Sequence, residues 1–163
     1  MTKRSHRQQY HSRAIALCMV LGCTVALAQS TQEHVHSMGH KVMPFDLTKT
    51  IHIFQMTDSG GVERVIVKDA SAKDQAAMIQ QHLKQEAEAF QRGDYSDPAS
   101  LHGENMPGLK DLHAGASHIK VSYSALPTGA EITFKTTDLK LLTAVHRWFG
   151  AQLSEHGADA KAE

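Results

Sequence analysis

Twice along this chain two short β-rich runs meet at a turn and lead into a helix with one apolar stripe, and that repeat leaves few folds open. In the first half, Thr50-Ile51-His52-Ile53-Phe54-Gln55-Met56 and Val62-Glu63-Arg64-Val65-Ile66-Val67 flank Asp58-Ser59-Gly60-Gly61, the pattern of a hairpin. A helix follows that Ser71 or Asp74 can cap, with Ile79, Leu83, Ala87 and Phe90 forming the stripe and Gly93 ending it. In the second half, Ile119-Lys120-Val121-Ser122-Tyr123 and Glu131-Ile132-Thr133-Phe134-Lys135 flank Pro127-Thr128-Gly129. Asp138 then caps a helix striped by Leu142, Val145, Phe149 and Leu153. The expectation is an α+β fold: two layers, with a four-stranded antiparallel sheet and two helices on one face, in the order ββα-loop-ββα. The helices should press Ile79, Leu83, Phe90, Val145, Phe149 and Leu153 onto the sheet. Residues 94–116, rich in Gly, Pro, Asp and His, read as a long loop of the kind that carries function or stays disordered.

The amino terminus reads as an export signal. Lys3, Arg4, Arg7 and Arg13 precede an apolar stretch from Ala14 to Ala28 that closes on Ala26-Leu27-Ala28 and turns polar at Gln29. A basic region, a short apolar run and an A-x-A site define a cleavable signal peptide. Two other readings compete: a retained anchor, for which the apolar run is shorter than the ~20 residues of a spanning helix, and a lipoprotein, for which Leu21-Gly22-Cys23 is a partial lipobox. The expected organisation is a signal peptide over 1–28, a flexible His-rich lead-in over 29–42, one α+β domain over 43–156 and a frayed tail over 157–163. The mature protein is then periplasmic or secreted, with no stable membrane insertion after cleavage.

Cleavage changes what the chain can do. Both cysteines, Cys18 and Cys23, leave with the signal, which excludes a disulfide, a thiolate metal site and a cysteine nucleophile. The remaining 13 basic and 17 acidic residues give a net charge of −4 with histidines neutral, which argues against a nucleic-acid partner. Ten of the twelve histidines remain, with five methionines. Imidazole is the commonest protein metal ligand, so the excess points to a metal ion. A tolerated surface residue is the alternative reading.

Several stretches offer donors. His102-Gly103-Glu104-Asn105-Met106-Pro107-Gly108-Leu109 places an imidazole and a thioether four residues apart, and soft thioethers favour copper. His82 and His146 sit beside the apolar stripes of the two helices, His52 shares a strand face with Phe54, and Glu86 stands one turn after His82, where it can orient that ring. In the lead-in, His34, His36 and His40 lie within seven residues, a tract able to capture metal at the cost of ordering its backbone. No H-E-x-x-H, G-x-S-x-G, phosphate-binding glycine loop or C-x-x-C-H is present in the chain. A cluster of Asp94, Asp97, Glu104, Asp111, His102 and His113 keeps a hydrolase open.

Met-Pro-Phe-Asp-Leu at 43–47, Gly-Asp-Tyr-Ser-Asp-Pro at 93–98, His-Gly-x-x-Met-Pro-Gly-Leu at 102–109 and His-x-Trp-Phe-x-Ala-Gln-Leu-x-x-His-Gly-x-Asp-Ala at 146–160 resemble a family of small exported bacterial proteins with no established activity. Members of that family are sometimes labelled aspartate carbamoyltransferase. The label finds no support in this chain, which lacks the Ser-Thr-Arg-Thr motif of true transcarbamoylases and is too short for their two α/β domains. The expected function is an exported transition-metal-binding protein, copper favoured over zinc, acting as carrier, sensor or buffer, with catalysis left open. The alternatives are a small metal- or His/carboxylate-dependent hydrolase and a non-catalytic partner-binding module whose protein partner is unknown. The expected metal donors are His102, Met106, His82, His146, His52, His34, His36 and His40.

Overall fold

The computed structural model describes residues 32–163, so the predicted signal peptide lies outside the described residues. The fold is α+β. Helix α1 covers residues 32–42. A hairpin of β1 (Thr50–Thr57) and β2 (Gly60–Val67) follows, then helices α2 (Lys73–Gln91), α3 (Ser96–His102) and α4 (Leu109–Ala114). The second hairpin, β3 (Lys120–Leu126) and β4 (Gly129–Lys135), leads into α5 (Leu139–His156) and a short strand β5 (Ala160–Ala162).

Both hairpins form where the sequence places them. The strands are held antiparallel, in register from Thr50↔Val67 to Thr57↔Gly60 and from Lys120↔Lys135 to Leu126↔Gly129. The hairpins join through β2 and β4, also antiparallel, from Gly60↔Lys135 to Ile66↔Gly129. Alternation along the strands turns Phe54, Val65, Ile132 and Phe134 to one face, where all four are buried. Both long helices cover that face. Phe134 of β4 meets Phe90 of α2 at 5.8 Å between ring centres, and Trp148 and Phe149 of α5 at 5.4 and 5.8 Å.

The sheet has five strands and is mixed, not four-stranded and antiparallel. The order is β3-β4-β2-β1-β5, with β5 parallel to β1. Residues 160–162, expected to fray, pair because Arg64 on the open face of the sheet reaches both Glu131, at 2.7 Å, and Glu163. The Glu163 amide also donates to the Phe54 carbonyl at 3.1 Å. The expected loop over 94–116 contains two short helices, α3 and α4, which bury Leu101, Met106, Leu109 and Leu112.

The lead-in is likewise corrected. Residues 32–42 are helical because one face of the tract can be buried. Val35 is enclosed, Gly39 lies so close to Leu47 that a Cβ would fall 2.7 Å from its Cδ1, and Gln32 Nε2 donates to the Ser154 carbonyl. Burial of one stripe outweighs the weak helix propensity of a histidine-rich stretch. Helix α5 begins as expected, with the Asp138 carboxylate accepting from the Lys140 and Leu141 amides at 2.8 and 3.3 Å. Helix α2 has no side-chain cap, and neither Ser71 nor Asp74 serves as one. Among the described residues no helix is long and apolar enough to cross a membrane.

Candidate functional site

Among the described residues, helices α2, α3 and α5 and the β1–β2 hairpin border a small, partly open cavity of about 40 Å³, whose wall is unusually polar for a core. Four histidines line it, His52 from β1, His82 from α2, His102 from the end of α3 and His156 from the end of α5, together with Glu63, Glu86 and Asp97. The volume holds an ion or a water and is far below the several hundred Å³ of a site for an organic ligand.

Three of the rings form a contiguous group. The His156 ring centre lies 5.0 Å from that of His52 and 5.0 Å from that of His102. Each ring leaves a nitrogen free. His102 Nδ1 donates to Glu155 Oε2 at 2.7 Å, so its lone pair sits on Nε2, which is buried without a partner. His156 Nε2 donates to Gln152 Oε1 at 3.1 Å, which puts that ring's lone pair on Nδ1. His52 Nδ1 is buried without a partner. Buried polar nitrogens are nearly always hydrogen-bonded, so two orphans in one cavity wall need an explanation. Trp148 Nε1, in the same wall, is a third buried atom without a partner.

Two imidazoles bound to one tetrahedral ion at ~2.0–2.1 Å hold their ring centres roughly 5 Å apart, the spacing seen here. The nitrogens themselves do not yet converge: among the described residues no three His, Cys, Asp or Glu side chains stand at coordinating positions. Holding an ion would take rotation of these rings, of which His52–His156 and His102–His156 are each 5.0 Å apart. His82 stands behind this group, its ring 5.8 Å from that of Phe45.

The expected donors divide accordingly. His52, His82 and His102 reach the cavity. Met106 does not: it is buried in the apolar core, because the turn through Gly103 and Gly108 directs its side chain inward with Leu109. Met43 is the thioether at the cavity wall. His146 is also placed elsewhere. Its Nε2 donates to the Thr57 and Gly60 carbonyls at 3.0 and 2.9 Å, pinning the β1–β2 turn to α5. His34, His36 and His40 lie outside on α1. The sequence reading does not include His156 among the donors, although Trp148, Gln152 and His156, spaced by four, mark the buried face. Of the hydrolase cluster only Asp97 shares the cavity with His102. Asp111 pairs with Lys140 at 2.9 Å, His113 Nδ1 donates to the Gly93 carbonyl, and Asp94, Glu104 and His113 line a separate surface cleft.

Comparison of the chain with protein-family models, curated proteins and solved structures finds no match.

The cavity avoids charge. Burial lowers His102 to about 4 and His156 to about 3, with the nearby His102 adding to the effect. Burial, then the neighbouring His156 and His82, lowers His52 to about 3, and burial lowers His82 as well. Burial raises Glu63 to about 7. It also raises Glu86 to about 8, helped by a hydrogen bond with Asp97 and the negative charges of Asp97, Glu63 and Asp94. Near neutrality the histidines are therefore neutral, Glu86 is largely protonated and Glu63 is close to its midpoint.

These shifts set a pH dependence. The unfolded histidines titrate near 6.5 and bind protons that the fold refuses, so stability falls as pH drops below that value. The folded glutamates keep protons that the unfolded chain loses above 4.5, so stability also falls as pH rises through 7 to 8. Each net proton changes stability by about 1.4 kcal/mol per pH unit. The metal-free protein should be most stable near pH 6.5. Urea unfolding from pH 4.5 to 8.5 tests this, and a continuous rise through pH 8 would contradict it.

Proposed function

We propose that this protein binds one transition-metal ion in its interior, with His52, His102 and His156 as the donors, and serves as an exported carrier, sensor or buffer. The observation that carries the reading is the set of unpartnered nitrogens. Three neutral imidazoles border one ion-sized cavity, and His102 Nε2 and His52 Nδ1 are buried with nothing to bond. Histidines that hold metals generally donate their second nitrogen to a carboxylate or carbonyl, which fixes the tautomer. Glu155 does this for His102, and the Gln152 amide oxygen does it for His156.

Three imidazoles suit copper and zinc alike. The preference for copper rested on Met106, which the fold keeps in the core. Met43 at the cavity wall is the soft donor that now supports copper over zinc. A catalytic role is less favoured, because a cavity of about 40 Å³ has no room for an organic substrate. Export belongs to the proposal and rests on the Ala26-Leu27-Ala28 signal.

Both parts are tested on untagged protein recovered from the cell envelope of a bacterium expressing the full chain. Elemental analysis should find close to one equivalent of copper or zinc that survives dialysis, and intact mass should place the first residue at Gln29. Protein free of metal that takes up neither Cu(I), Cu(II) nor Zn(II) would move the hydrolase and partner-binding readings ahead. A lipid adduct on Cys23 would overturn the processing.

A further inference from the structure

Helix α1 carries a second set of donors, on the outside of the molecule. His36 and His40 are both exposed and stand four residues apart, so they share one helix face. Their ring centres are 5.1 Å apart with the planes at 84°, again the spacing of two imidazoles on one ion. His36 Nδ1 donates to Asp159 Oδ2 at 2.7 Å, from the turn that leads into β5. That bond places the proton on Nδ1 and the lone pair on Nε2, the tautomer in which a carboxylate readies a histidine for metal.

We propose that His36 and His40 form a second, solvent-facing site for a divalent imidazole-preferring ion such as Zn(II) or Cu(II), with Asp159 as its positioning residue. This site shares no donor with the interior cavity and does not depend on it. His34 takes no part, because two residues of helix carry its side chain about 200° around the axis from His36. Water or buffer completes the coordination, so the site is weaker than a four-donor one. Asp159 belongs to the segment that leads into β5, so an ion here ties α1 to the C-terminal turn.

The test is calorimetric titration of the full mature chain with Zn(II), repeated with His34→Ala, His40→Ala, Asp159→Asn and Asp159→Glu. Wild type should bind in two phases. His40→Ala should remove the weaker phase and spare the tighter one. Asp159→Asn should weaken that phase about 10- to 100-fold, Asp159→Glu should recover part of the loss, and His34→Ala should change nothing. Amide exchange over residues 32–42 and 157–162 should slow when the weaker phase fills. If the interior reading fails, one phase remains and His40→Ala still removes it. The surface site is overturned if His40→Ala leaves every phase intact, or if His34→Ala weakens binding as much as His40→Ala does.

Discussion

Replacing His102 with alanine should weaken binding at the interior site by at least two orders of magnitude while the protein stays folded. The ring projects from the end of α3 with its side chain almost wholly enclosed, and its Nε2 is the clearest orphan of the cavity. Removing one of the three imidazoles leaves only two to hold the ion, too few for a tight site. Glu155→Gln should cost less, about 10- to 100-fold, because it leaves the donor in place and removes what fixes its tautomer. Competition against a chromophoric chelator measures both, with circular dichroism as the check on folding. His113→Ala, an exposed residue bonded to the Gly93 carbonyl, should be neutral. Unchanged affinity in His102→Ala, His52→Ala and His156→Ala together would sink the interior site.

Trp148→Ala should destabilise the metal-free fold by about 3–5 kcal/mol, lowering the melting temperature by on the order of 10 °C or more. Trp148 is fully buried and is where the two halves of the chain meet. Its ring packs edge-on against Phe90 of α2, Tyr95 and Phe134 of β4, at 5.5, 5.7 and 5.4 Å. No neighbour can refill so large a space, so the cavity term adds to the lost transfer energy. Trp148→Phe should recover much of the loss. Urea unfolding of both variants measures it, and a cost below about 1 kcal/mol would mean that the aromatic cluster does not hold the halves together.

Both hairpins and both long helices were legible in the residues. Period-two runs around Asp58-Ser59 and Pro127-Thr128 are β-signals that need no partner to be read, and the stripe from Ile79 to Phe90 points one way whatever it packs on. On α5 only Val145 and Phe149 of the expected stripe lie on the buried face, which runs instead through Leu141, Ala144, Trp148, Gln152 and His156 and leaves Leu142 and Leu153 at its edge. The helical state of 32–42 was hidden because its contacts with Leu47 and Ser154 lie elsewhere in the chain. The pairing of 160–162 was hidden for the same reason, since it depends on β1 and Arg64.

The donors divide along the same line. Residue type marked histidine as the metal-seeking element and named His52, His82 and His102, each of which faces the cavity. It also offered Met106 and His146, because local spacing shows that a side chain is near an apolar stripe but not what stands opposite it. Met106 met the core and His146 met two turn carbonyls. By itself the sequence determined the two hairpins, the two long helices, their order and the chemistry at hand, since these follow from periodicity and side-chain type. Only the tertiary structure decided which histidines meet, because His52, His102 and His156, 50 to 104 positions apart, come together only once β1, α3 and α5 have packed around one cavity.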